Sequence, residues 1–255
     1  MSHIADNPCP GGAPDSCGIA AVVCEVLEME VRHFAPLAER LRHIEIMEYG
    51  LHNEPPRLRR ELQRIIDRIE QRSDIGGIAL VYGLCSRGTE GITSRRCALA
   101  MARAHDCITL LLGCRRRYAE YVAKYPGTYW YSPGWNSKHI PPGKERYEKM
   151  YREYCEKYGR EAAEYLMEEQ QRWFRSYSRA TYVDLGVGAT PEDMAYTQQC
   201  ARWLGWTYDY QRGDPKLLVD LLSGNWDDER FVIARPGQSL SATGDDRVVE
   251  ARQPK

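Results

Sequence analysis

The chain has 255 residues, with 35 Lys+Arg against 36 Asp+Glu and nine cysteines. A formal charge of −1 argues against a protein that grips nucleic-acid phosphates along a broad basic face. At this length roughly three quarters of the unfolded surface can be buried, so neither a disulfide nor a metal is needed merely to make a core.

The N-terminal stretch up to Cys17 is polar and rich in Pro and Gly, without the basic and apolar regions of a secretory signal. No apolar run approaches the roughly 18 residues of a membrane span. A cytoplasmic, reducing location is therefore expected, where thiols serve packing, metal binding or chemistry rather than stapling. The nine cysteines show no C-x-x-C pair, so their individual positions carry the information.

Residues 1–17 read as a leader. Ile19–Val23 is a buried strand, followed by a helix over Met29–His43 with Val31, Phe34, Ala38 and Leu41 on one face. Ile44–Tyr49 is a second strand. Pro55 and Pro56 open an amphipathic helix with Leu58, Leu62, Ile65, Ile66 and Ile69 inward. Strands follow at Ile78–Tyr82 and Cys97–Arg103, then a helix beginning at Cys107. A short strand at Thr128–Ser132 precedes helices over Lys144–Tyr158 and Arg160–Arg175. A second alternating series comprises strand Tyr182–Leu185, helix Pro191–Leu204, strand Thr207–Tyr210, helix Pro215–Leu222 and strand Phe231–Ala234. This order predicts an α/β fold with parallel sheets, arranged as two Rossmann-like α/β halves around a shared crevice. The halves fall at 18–130 and 131–241, and 242–255 reads as a polar tail.

Strand-terminal residues carry the chemical signal. Cys24-Glu25 ends the first strand, Gly83-Leu84-Cys85-Ser86-Arg87-Gly88 follows the third, and Ala104-His105-Asp106-Cys107 follows the fourth. In an open parallel sheet these ends share one edge, where ligands bind. Cys24, Cys85 and Cys107 are therefore expected to meet. Three thiolates suit a tetrahedral metal with one open position, either zinc or a three-cysteine iron–sulfur cluster such as [4Fe–4S]. A helix starting after Cys107 would lower that thiol's pKa through its dipole. His105 is a candidate fourth ligand or general acid/base, with Asp106 orienting it and Glu25 close by. Ser86, Arg87 and Arg103 are candidate contacts for an anionic small-molecule substrate. Trp135, in Gly127-Thr-Tyr-Trp-Tyr-Ser-Pro-Gly-Trp135, could wall a pocket for a planar or apolar ligand or simply pack the seam between the halves. Cys97, Cys114, Cys155 and Cys200 fall inside strands or helices, where packing accounts for them.

Cys24-Glu-Val-Leu27, Tyr82-Gly-Leu-Cys85, Ala104-His-Asp-Cys-Ile-Thr-Leu-Leu-Leu-Gly113, the 127–135 segment, Gly213-Asp214, Gly224-Asn-Trp226 and Arg235-Pro-Gly237 together resemble the domain-of-unknown-function family DUF1638. The resemblance runs from about Ile19 to about Gly237. It implies a link to one-carbon metabolism through corrinoid-dependent methyltransferases, and it maps the family's cysteine and His-Asp positions onto Cys24, Cys85, His105, Asp106 and Cys107. Three functions are then open. One is a metalloenzyme, a lyase or transferase, built on the three cysteines. The second is a metal-free thiol enzyme with Cys107 as nucleophile and His105 or a second cysteine as its proton partner. The third is a non-catalytic accessory of a corrinoid protein or its methyltransferase. No nucleic-acid or membrane partner is expected.

Overall fold

The computed structural model describes residues 17–253, so the predicted leader lies, apart from Cys17, outside the described residues. The described residues divide into two compact units, one made of 17–115 and 215–253, the other of 116–214. The first unit is thus discontinuous, and its boundaries at 115/116 and 214/215 differ from the 130/131 seam expected from the sequence. Aromatic composition marked that seam, whereas the contacts follow the sheets.

In the first unit, strands β1 (Gly18–Cys24), β2 (Leu41–Met47), β3 (Ile75–Val81), β4 (Ala98–Ala102) and β8 (Phe231–Ala234) form one sheet in the order β2-β1-β3-β4-β8. The first four are parallel, and β8 runs antiparallel to β4 at the edge. Every residue of β1 and β4 is buried, which is why they read as continuous apolar runs, whereas β2, Leu-Arg-His-Ile-Glu-Ile-Met, is only half-buried. Helix α2 (Pro55–Ile69) turns Leu58, Leu62, Ile65, Ile66 and Ile69 inward. Helix α9 (Lys216–Ser223) packs its leucines against β1, β3 and β4.

The helix expected over Met29–His43 is shorter. Helix α1 (Glu28–Phe34) gives way to a 3-10 turn at Ala35–Leu37, and the chain is already a strand at Leu41. Pro36 cannot supply the N–H that a continuing helix needs, and the ladder with β1, which begins at Ile19↔Leu41, takes over the following residues. The C-terminal segment is also ordered. Strand β9 (Ser239–Ala242) pairs antiparallel with β10 (Val249–Arg252), and Val248 and Val249 are buried.

The second unit holds α4 (from Arg115 to Lys124), β5 (Thr128–Tyr131), α5 (Pro133–Lys138), α6 (Lys144–Tyr158), α7 (Arg160–Gln171), β6 (Arg179–Asp184), α8 (Pro191–Leu204) and β7 (Thr207–Arg212). Its three strands form a separate parallel sheet in the order β5-β6-β7. Tyr131, Phe174, Ala180, Tyr182, Cys200, Ala201 and Trp206 make a core of its own.

A three-thiol candidate site at the sheet switch point

From β1 the chain crosses to β2 on one side, and from β3 it crosses to β4 on the other. The C-terminal ends of β1 and β3 therefore flank the point where the strand order reverses, the place where open α/β sheets leave a crevice. Cys24 is the last residue of β1, Cys85 follows β3 in the loop after it, and Cys107 follows β4, immediately before the short helix α3 (Ile108–Leu112).

Two loops are locked together to make this arrangement. The Leu84 N–H donates to the Ala104 carbonyl at 2.8 Å and the Cys85 N–H to the His105 carbonyl at 3.0 Å. Gly83 lies so close to the β4 loop that a Cβ there would stand 2.6 Å from the Asp106 backbone. Beyond it, Cys85, Ser86 and Arg87 all have positive φ, at 46°, 54° and 66°. Non-glycine residues pay about 1 kcal/mol or more each for that region. The turn is held by the Gly88 N–H on the Cys85 carbonyl at 2.9 Å and by the Arg59 guanidinium on the Arg87 carbonyl at 2.9 Å.

The three thiols meet. Cys107 is within hydrogen-bonding reach of both Cys24 and Cys85, so the contacts run Cys24–Cys107–Cys85. Cys24 is held below the ordinary thiol range, first by the hydrogen bond with Cys107 and then, against the cost of burial, by the Val26 backbone N–H and Tyr82. Cys107 is pushed well above that range by the same two sulfur neighbours and by burial. The expected dipole effect on Cys107 is therefore reversed: α3 is a single short turn, and the neighbouring sulfurs dominate. By contrast Cys97 and Cys200 are each raised to about 11, chiefly by burial, as packed thiols should be. Among the described residues no group of three or more His, Cys, Asp or Glu side chains already has the arrangement of a metal cage.

The other expected residues divide into supports and outsiders. The Asp106 carboxylate accepts the Ile108 N–H at 3.0 Å, which fixes the turn bearing Cys107. Glu25 accepts the Tyr49 N–H at 3.3 Å and lies near enough to Cys24 to act on it electrostatically. His105 contributes its carbonyl to the Cys85 turn while its side chain is exposed. Ser86 is exposed as well. Arg87 forms a two-pronged pair with Glu90 at 2.8 and 2.9 Å, so its charge is already matched. Arg103 donates to the carbonyls of Asp228 and Val249, tying down the C-terminal segment. Trp135 belongs to the second unit, where its ring packs on His139 with centroids 4.6 Å apart.

One residue of the site escaped the sequence reading. Tyr82, directly after β3, is 1% exposed, and its phenol lies beside the sulfurs of Cys24, Cys85 and Cys107. Burial first, and then the three thiols, push its pKa well above the ordinary value, so the phenol keeps its proton. Its oxygen approaches Cys24 but has no hydrogen-bond partner of normal geometry. The signal was present in Ile-Ala-Leu-Val-Tyr82, where a hydroxyl ends an otherwise wholly apolar strand.

The family model described as "Protein of unknown function (DUF1638)" matches residues 46–222. Cys85, Cys107 and Tyr82 fall inside that span and Cys24 precedes it. No curated protein and no solved structure matches the chain.

Proposed function

The chain belongs to the DUF1638 family, and we propose that it binds one thiophilic metal ion through Cys24, Cys85 and Cys107. The observation that carries this reading is the meeting of three thiols from three loops at the switch point of the first sheet. The donor set fits a soft ion such as zinc, which three sulfurs hold with a fourth position open. Thiolates about 2.3 Å from one tetrahedral ion stand about 3.8 Å apart, the range in which S–H···S contacts form. The same three thiolates would also hold a [4Fe–4S] cluster with one iron left open. Cys107 is the thiol in contact with both of the others. When bound, the ion supplies Lewis acidity at its open position. The residues of the chain hold the ligand-bearing loops in place: Asp106 through the Ile108 N–H, Gly83 through close packing, and the His105 carbonyl through Cys85. A lyase or transferase acting on a thiol or methyl-group carrier is the activity class of this reading. A corrinoid protein or its methyltransferase is the partner class. Two Rossmann-like units are part of the proposal, supported by the four parallel strands of the first sheet and the three of the second.

Metal analysis of anaerobically purified protein tests it. About one ion per chain is expected, with most of it lost in Cys107→Ser, whose sulfur touches both others, and in Cys85→Ser. Iron and sulfide in a brown protein would replace the single ion by a cluster. Wild-type protein that takes up no zinc, iron or cobalt would sink the metal reading.

The Cys24–Cys107 contact favours a second reading, a redox dithiol. There a small disulfide reagent would be reduced to two thiols while Cys24 and Cys107 joined, and chelators would change nothing.

A further inference from the structure

We infer that Tyr82 is the outer positioning residue of the three-thiol site, its phenol O–H donating a hydrogen bond to a cysteine sulfur once a metal ion is held there. The inference rests on the metal-binding reading and deepens it. A buried hydroxyl without a partner costs about 1–3 kcal/mol, so natural cores leave few of them. Tyr82 is almost wholly enclosed at the end of β3, its hydroxyl makes no hydrogen bond of normal geometry, and the groups it faces are the three thiols. In the metal-free protein Cys24 already receives the Val26 N–H and is the hydrogen-bond partner of Cys107. The phenol is left with a poorly aligned approach. Gathering the sulfurs around an ion removes the thiol protons and turns each sulfur into a stronger acceptor. The enclosed phenol O–H then has an anionic sulfur to donate to.

Sequence and strand geometry hold it there. Tyr82 continues a strand that is buried from Gly77 to Val81, and Gly83 clamps the next residue against the β4 loop. The ring therefore has little freedom to turn its hydroxyl elsewhere. Hydrogen bonds to ligating sulfur draw charge from it and strengthen the site, and removing such an outer partner commonly weakens metal affinity roughly ten- to hundredfold.

The test is cobalt(II) titration into metal-free, full-length wild type, Tyr82→Phe and Cys85→Ser, with a competing chelator and the thiolate-to-metal charge-transfer band as readouts. Wild type is expected to bind cobalt, and Tyr82→Phe to bind it roughly ten- to hundredfold more weakly, with the band moved to lower energy. The metal-free Tyr82→Phe protein should melt close to the temperature of wild type, because the lost hydroxyl makes only a poorly aligned approach to Cys24. A variant with unchanged affinity and band overturns this inference and leaves the metal reading standing. A wild type that binds no cobalt overturns both. Should Tyr82→Phe not fold, wild type loaded with cadmium-113 decides the matter. A slowly exchanging hydroxyl proton coupled to the metal through sulfur supports the inference, and the lack of one overturns it.

Discussion

At the scale of single residues, the site depends on one missing side chain as much as on the sulfurs present. Gly83 has no Cβ, and this lets the β3 loop lie directly on the Asp106 backbone. Alanine there would place its methyl 2.6 Å from backbone atoms, which cannot swing aside as the tip of a flexible side chain can. The loops bearing Cys85 and Cys107 would have to separate. Gly83→Ala is expected to lower stability by about 1–3 kcal/mol, the usual range for overpacking, and to weaken cobalt binding more than a core substitution of equal cost. Urea denaturation and cobalt titration, run beside an Ile66→Val control in α2, check it. Equal cobalt affinities in the two variants would show that the loop contact does not set the site. Three cysteines could be picked from the sequence because strand ends converge by topology alone. Arg87, Arg103 and His105 could not be sorted the same way, since their partners Glu90, Asp228 and the Cys85 N–H are decided only by the folded loops.

At the scale of elements, the end of α2 and the loop leading into β4 are joined by a buried carboxylate. Glu70, just past the end of α2 and 3% exposed, accepts the Ser94 hydroxyl at 2.7 Å and the Arg95 backbone N–H and Nε at 2.9 Å each. Burial alone would raise its pKa, but Ser94 and Arg95 outweigh it and hold the carboxyl below the ordinary glutamate value of 4.5. The unfolded chain therefore takes up the proton first. The stabilisation is complete above about pH 4.5 and is lost as the pH falls through the lower folded value. Glu70→Gln should cost about 1–3 kcal/mol near neutral pH, the range for disturbing hydrogen bonds to a charged buried group, because the Arg95 guanidinium itself stays exposed to solvent, and the gap from wild type should close in acid. Urea midpoints measured from pH 7 to pH 3 test this, and a gap that stayed constant would exclude Glu70 as the titrating group. Long periodic elements such as α2 and α8 were legible because burial repeats along them. Strand β10, Val-Glu-Ala-Arg, was not, because four residues of alternation are too few to stand out from a polar tail. Its pairing with β9 and the burial of Val249 decide it.

At the scale of the whole molecule, the division into units has a physical consequence for folding. Residues 116–214 are contiguous, whereas the described part of the first unit must bring 17–115 together with 215–253, and from the far end of the chain β8 completes its sheet while α9 covers β1, β3 and β4. The inserted unit contains what an independent domain needs. It has a parallel sheet of three strands, helix α8 capped by the Thr190 hydroxyl and ended by Gly205 in the left-handed region, and a core rich in aromatic rings. Polar side chains are also tied together within it: Asp193 accepts from the Asn136 amide at 2.8 Å and from the Tyr182 hydroxyl. About a hundred residues is enough chain to bury a stabilising core. A fragment spanning 116–214 is therefore expected to fold alone, with a cooperative thermal transition and a near-ultraviolet dichroism signal from its packed tryptophans. It should carry no cobalt, since Cys24, Cys85 and Cys107 all lie outside it. A fragment lacking that signal, or melting without cooperativity, would mean that its core needs the other unit. Cobalt bound by the fragment with the affinity of the full chain would move the metal site away from the three thiols altogether.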